Sequence, residues 1–319
     1  MNIVVTGSVA FDYLMHFPGR FSEHILPDQL EHISLSFLVD SMLRRPGGAA
    51  ANIAYTLALL GERPRLMACV GRDFGEYRES LQAVGVDTSL TREESDVYTA
   101  SFFVNSDLDG NQIASFYAGA MGRAGDLSVE ECRAESIDLL TISPNAPDAM
   151  HKYASECHMM GIPYLYDPSQ QIVRLSGEQL RAGIANCALL VSNEYEFHLL
   201  LDRTGWCEDE LRSAPSQALV LTLGPAGSRI WAASTQYDIP AVPPVRVDDP
   251  TGAGDAFRAG LIRGRSLGVD WPVAGRMGSL AATWSLEEPG AQGHRFDGAE
   301  FAARFREHFD DEGALDALL

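Results

Sequence analysis

From about residue 126 the chain falls into a rhythm that admits few folds, with short apolar runs alternating with helical segments. Residues 137–142, a run opening at Pro163, residues 188–192 and residues 218–223 read as strands. Helix signals lie between them. Ser128-Val129-Glu130-Glu131 and Ser176-Gly177-Glu178-Gln179 have capping-box spacing, and residues 146–160 look helical and stop at Gly161. Asn193-Glu194-Tyr195-Glu196 starts a further helix. Such alternation predicts a parallel sheet with helices on both faces, and ligands at the carboxyl ends of its strands. Asp167, Asn193 and Thr222 fall at such ends. Residues 2–6 read as a first buried strand ended by Gly7. Asp12 follows in the next turn, as a candidate for a substrate hydroxyl or as an ordinary turn residue.

Three segments break the rhythm. Residues 33–39, 98–104 and 113–117 alternate apolar and polar positions without helices between them. The last two flank 105–112, rich in turn residues, and predict a hairpin. Together they suggest a small antiparallel sheet projecting from the main domain, with strands drawn from about 11–18, 33–40 and 97–118. Between them, Pro46-Gly47-Gly48 opens an Ala-rich helix that carries the polar Asn52 and stops near Gly61.

The chemistry converges on Asp248-Asp249-Pro250-Thr251-Gly252-Ala253-Gly254-Asp255-Ala256-Phe257, a turn that feeds a helix. Its glycines let backbone N–H groups approach a ligand, and a helix N-terminus attracts anions. Asp255 stands in the first turn. It could take a proton from a hydroxyl attacking a phosphoryl group, or complement the helix dipole alone. Asn193 and Glu196 fit a helix cap and also a Mg²⁺ and phosphate contact, and one does not exclude the other.

The 319 residues carry 24 Lys and Arg against 44 Asp and Glu, a net charge of −20. That disfavours nucleic acid and anionic membranes, and it requires a polyanion site to be locally positive or metal-assisted. Five cysteines without a Cys-x-x-Cys pair fit a reduced, cytoplasmic protein. No signal peptide or membrane span is read at the N-terminus, and without repeats or linkers the expectation is one domain over residues 1–319.

The string Asp249-Pro250-Thr251-Gly252-Ala253-Gly254-Asp255-Ala256-Phe257-Arg258-Ala259-Gly260 resembles the signature of the PfkB (ribokinase-like) family of carbohydrate and nucleoside kinases. Gly47-Gly48-x-x-x-Asn52, Asn193-x-x-Glu196 and Thr222-Leu223-Gly224-Pro225-Ala226-Gly227 resemble its other motifs. Within that family the likeness is closer to bacterial adenosine kinases, through Thr6–Asp12, Phe17–Glu23, Ser34–Asp40, Gln112–Tyr117, Asp167–Gln171 and Thr204–Trp206.

The resemblance implies a three-layer α/β/α sandwich with a β-sheet lid that often also serves as a dimer contact. It implies ATP-dependent phosphorylation of the adenosine 5′-hydroxyl, in purine salvage. Asp255 would be the base, with Gly252, Ala253 and Gly254 forming the anion hole. Asp12, Gly48 and Asn52 would hold the ribose. Ser8, Ser36 and Gln171 would read the purine edge, with Phe102 and Phe116 on its face and Phe103 as a competing ring. Asn193, Thr222, Gly224 and Gly227 would serve ATP, and Glu196 would meet Mg²⁺ through water. Residues 285–292 are a candidate second wall for ATP and a candidate K⁺ site. A broader nucleoside or sugar kinase and a non-catalytic ligand-binding relative stay open. An oxidoreductase is disfavoured, since no Gly-x-Gly-x-x-Gly follows the first strand.

Overall fold

The computed structural model describes residues 1–25, 34–132 and 136–319. The chain opens with β1 (Ile3–Thr6), β2 (Ala10–His16), the short α1 (Phe21–His24), β3 (Ser41–Gly47), α2 (Ala49–Leu59), β4 (Arg65–Gly71), α3 (Gly75–Ala83), β5 (Thr91–Glu94) and the hairpin β6 (Ala100–Ser106) and β7 (Gln112–Tyr117). Strand and helix then alternate: β8 (Leu139–Ile142), α4 (Pro147–Met160), β9 (Tyr164–Tyr166), α5 (Gly177–Ala185), β10 (Leu189–Asn193), α6 (Glu194–Thr204), α7 (Glu208–Ser213) and β11 (Ala218–Thr222). The hairpin β12 (Ser228–Ala232) and β13 (Thr235–Ile239) leads to α8 (Ala253–Ser266), α9 (Trp271–Leu286) and α10 (Gly298–His308).

The main sheet has the order β13-β12-β11-β10-β9-β8-β1-β4-β5. Its strands from β11 through β5 run parallel, and β12 and β13 add an antiparallel edge. Side chains alternate between the faces, so the sheet divides into two cores. Ile3, Val5, Val191 and Val220 bury with Ile53 and Leu57 of α2 and Leu261 of α8. Val4, Leu140, Leu190 and Leu219 bury on the other side with Met150 and Tyr153 of α4, Leu180 of α5 and Phe197 of α6. The result is the three-layer α/β/α sandwich. The crevice that ligands favour opens beyond β1, where the chain order turns from β4 on one side to β8 on the other.

The smaller sheet has the order β3-β2-β6-β7 and forms the lid. The pairs β2–β3 and β6–β7 are antiparallel, whereas the central β2–β6 pair is parallel. One expected lid strand moves. Residues 34–39 are not a strand, and Ile33 lies outside the described residues. The third lid strand is β3, which starts at Ser41. Within residues 34–39, Phe37 packs edge-on against Phe17 and Phe21 at 5.0 and 4.9 Å, while Leu35 and Leu38 are exposed. Pro46 is tolerated in β3 because that strand is an edge.

Local signals hold where their partners are local. Ser176 with Gln179 and Asn193 with Glu196 both close reciprocal capping boxes, and Gly161 caps α4 in the left-handed region. Where a helix is expected from Ser128 there is a 3₁₀ turn over Val129–Cys132, and Glu156 of α4 accepts the Val129 N–H at 2.7 Å.

Candidate active site

A cavity of about 650 Å³ lies between the lid and the carboxyl ends of the main strands. Its roof follows from strand register. Arg45, Asp12, Phe102 and Phe116 are successive cross-strand partners on β3, β2, β6 and β7, so they share one face. Asp12, Phe102 and Phe116 line the cavity. Phe103, one residue along, points to the opposite face and stacks on Tyr13 at 4.7 Å.

The floor is the start of α8. Gly252 caps it with φ +82°, and a Cβ there would collide with Ala291. Asp255 follows in the first turn, where helix N–H groups lack intrahelical acceptors. Its carboxylate accepts from Asn52 Nδ2 at 2.8 Å and lies 3.6 Å from the Arg258 guanidinium. Asn52 cannot turn freely. Its Oδ1 accepts from Gln292 Nε2 at 2.9 Å, Gln292 also donates to Tyr77, and Tyr77 donates to the Gly47 carbonyl at 2.9 Å. The amide therefore presents its N–H to Asp255.

Three carboxyl groups, Asp167, Glu196 and Asp255, surround Arg258. Asp167 pairs with Arg258 through both oxygens, at 2.7 and 2.8 Å. Burial pushes Asp167 up to about 7 against the pull of Arg258, with Glu196 and Asp255 adding to the rise. Burial likewise raises Asp255, opposed by Arg258 and the Asn52 hydrogen bond. Burial would lower Arg258, but Asp167, Asp255 and Glu196 hold it above its ordinary value. Asp12 rises to about 6 through burial and the neighbouring charge of Asp249, with Arg45 opposing.

Residues 7–295 match the pfkB family carbohydrate kinase. This chain belongs to that family. The kinase is 31% identical over 306 residues to a nucleoside kinase of Methanothermobacter thermautotrophicus, covering 95% of each chain. It is also similar in structure to a Burkholderia thailandensis nucleoside kinase in ligand-free form (TM-score 0.86, 41% identity, 95% of this chain and 99% of that one). The same Burkholderia protein in complex with inosine gives a TM-score of 0.83 at 39% identity, over 96% and 98% of the two chains.

Most residues expected at the kinase site do meet. Ser8, Asp12, Gly48, Asn52, Phe102, Phe116, Gln171, Asn193, Glu196, Thr222, Gly252, Gly254 and Asp255 all line the cavity. Gly48 is required there by backbone geometry: its φ is +94°, and a Cβ would sit 2.6 Å from the Ser8 carbonyl oxygen. Ser8 also has a structural task, since its Oγ accepts the Ala49 N–H at 3.0 Å. Ser36, Ala253, Gly224 and Gly227 do not line the cavity. Gly224 and Gly227 sit in the β11–β12 turn beyond Thr222. Asp167, expected at a ligand-facing strand end, lines the cavity, and so do Arg258, Arg174 and Met121, which the sequence did not single out. Arg258 was within the signature, one helical turn after Asp255, but its carboxylate partner lies 91 positions away.

Among the described residues no group of three or more His, Cys, Asp or Glu gathers as a metal cage. A Mg²⁺ ion that arrives with ATP needs no cage, because phosphates and water complete its shell. Glu196 fits that sparse role: it lines the cavity, and its oxygens are held by Ser169 Oγ at 3.0 Å and the Asn193 N–H at 2.9 Å. No helix among the described residues is long and apolar enough to cross a membrane.

Proposed function

We propose that this kinase transfers the γ-phosphoryl group of ATP to the 5′-hydroxyl of purine nucleosides, with adenosine one acceptor among several. The observation that carries it is the placement of Asp255. It stands at the N-terminus of α8, held by Asn52, and opens into the same cavity as the Phe102 and Phe116 rings. A flat base suits aromatic faces better than a free sugar does.

Asp12 and Asn52 receive the ribose hydroxyls, and Asp255 accepts the proton of the 5′-hydroxyl as it attacks. The first-turn N–H groups at Gly252 and Gly254 stabilise charge on the transferring phosphoryl group, whereas the Ala253 N–H is turned to the Pro250 carbonyl at 3.3 Å. Mg²⁺ held through water by Glu196 would neutralise phosphate charge. Asn193 and Thr222 line the donor end, and the lid excludes water from the reacting atoms. Residues 285–292 remain a candidate K⁺ site. There the stem of Arg45 passes Gly290, and its guanidinium meets Asp249 at 2.8 Å.

A range wider than adenosine is favoured by two observations. The similar proteins named above are nucleoside kinases, one of them solved with inosine. Gln171 lines the cavity, and its buried Oε1 has no hydrogen-bond partner among the described residues. A side-chain amide can offer either a donor or an acceptor, so it can meet a 6-amino or a 6-oxo purine. The test is ADP release with ATP and Mg²⁺ across adenosine, inosine, guanosine, cytidine, ribose and fructose. Turnover of several purine nucleosides, with the monophosphates identified, is expected. Turnover of adenosine alone would restore the narrower specificity, and turnover of free sugars alone would overturn the base contacts.

A further inference from the structure

We infer that Arg45 is a positioning residue for phosphoryl transfer, tying the lid to the turn that presents the N-terminus of α8; it rests on the kinase mechanism proposed above. Arg45 stands on β3 directly across from Asp12 and shares its face with Phe102 and Phe116. From there it crosses to the body of the molecule, where Nη1 donates to Asp249 Oδ2 at 2.8 Å. Both side chains are shielded, at 25% and 19% exposure, so water weakens this pair less than a surface pair.

Asp249 is already the staple of the loop. Its Oδ1 accepts the Thr251 N–H at 3.0 Å, and its Oδ2 accepts the Gly290 N–H at 3.0 Å. Three residues later Gly252 packs so closely on Ala291 that it has no room for a Cβ. The turn at 249–252, the segment at 290–291 and the Arg45 guanidinium are therefore interlocked. Gly290 is shaped for the crossing: its φ is +81°, and a Cβ would lie 2.9 Å from Arg45 Cδ. Arg44 provides the contrast. It points to the other face of the lid, with its guanidinium 3.6 Å from the centre of the Phe11 ring.

A lid that carries the acceptor contacts is thus fastened, through one guanidinium, to the loop that carries the anion hole. Removing the fastening should misplace phosphoryl group and acceptor relative to each other, a fault that appears in kcat. The test is a double-mutant cycle of Arg45→Gln and Asp249→Asn, with Arg45→Lys and Arg44→Gln alongside. Using an acceptor that the wild-type enzyme turns over, R45Q should lower kcat about 10–100-fold, the scale of a small misplacement. Acceptor KM should stay within about threefold, since uniform binding is untouched. The double variant should be no slower than D249N alone, R45K should recover part of the rate, and R44Q should match wild type. An effect confined to acceptor KM, an unchanged kcat, or fully multiplicative losses in the double variant would each overturn the tie. Amide hydrogen exchange reads the same tie without turnover, which separates its failure from failure of the proposed activity. In R45Q, exchange over residues 250–256 should quicken while α2 stays as in wild type, and equal exchange over 250–256 would overturn the inference.

Discussion

Asp255 has the two properties a general base needs, a fixed direction and a shifted affinity for protons. Asn52 supplies the direction at 2.8 Å, and burial supplies the shift. In Asp255→Asn the new amide can still accept from Asn52, so substrate KM should hold while kcat falls about 10²–10⁴-fold. Steady-state kinetics decides this, and a variant with wild-type kcat would remove Asp255 from proton transfer. Asp12 gives a prediction about stability. Its folded pKa is raised from 3.8 to about 6, so the folded state holds the proton more tightly than the unfolded chain. The stability linked to this group is present below the unfolded value and is lost as pH rises through about 6. Asp12→Asn should therefore melt above wild type at pH near 8, with the gap closing as pH is lowered toward 4. A gap that does not change with pH would show that the charge on Asp12 costs the fold nothing. The same variant should raise acceptor KM, since it alters a proposed ribose contact.

At the scale of elements, what was legible in the chain was local. Capping boxes at Ser176 and Asn193 close within one helical turn, and buried strands such as β10 and β11 announce themselves as apolar runs. The strand β3 gave no such signal. It is an exposed edge with Arg44, Arg45 and Pro46 in succession, and its order comes from pairing with β2. Residues 34–39 gave a false one: Phe37 packs on the Phe17 and Phe21 rings, while Leu35 and Leu38 are exposed. The start of α6 shows an element serving two purposes. Glu196 closes the cap on Asn193 and faces the cavity. Glu196→Gln separates them, because Gln also closes a capping box and the Ser169 hydroxyl can rotate to suit the amide. The variant should melt within about 0.5 kcal/mol of wild type, the usual range for changes that spare such features. It should need several-fold more Mg²⁺ for half-maximal rate, about the effect of losing one charged contact to a hydrated ion. An unchanged Mg²⁺ requirement with intact stability would leave Glu196 as a cap alone.

Across the whole molecule, the contacts that assemble the site join positions far apart in sequence: Asn52 to Asp255 over 203 positions, Arg45 to Asp249 over 204 and Asn52 to Gln292 over 240. Motifs nominated Asn52, Asp249 and Asp255, and the 285–292 stretch took in Gln292, but nothing in the sequence singled out Arg45, and only the sheet order brings these pairs together. Net charge is a second property of the whole, and it opposes the donor. At −20, the molecule repels a nucleoside triphosphate at long range. Of the two arginines that line the cavity, Arg258 is already engaged by Asp167 and Asp255, which leaves Arg174 to oppose that field. A nucleoside is uncharged and should not feel it. Raising monovalent salt from about 10 to about 100 mM shortens the screening length from about 30 to about 10 Å. With Mg²⁺ held constant, kcat/KM for MgATP should rise, by up to about tenfold, the lower end of steering effects on association. The kcat/KM for the nucleoside should stay flat. A fall for MgATP would mean that cations at the cavity, Arg174 foremost, outweigh the net charge in guiding the donor, because salt would then be screening an attraction.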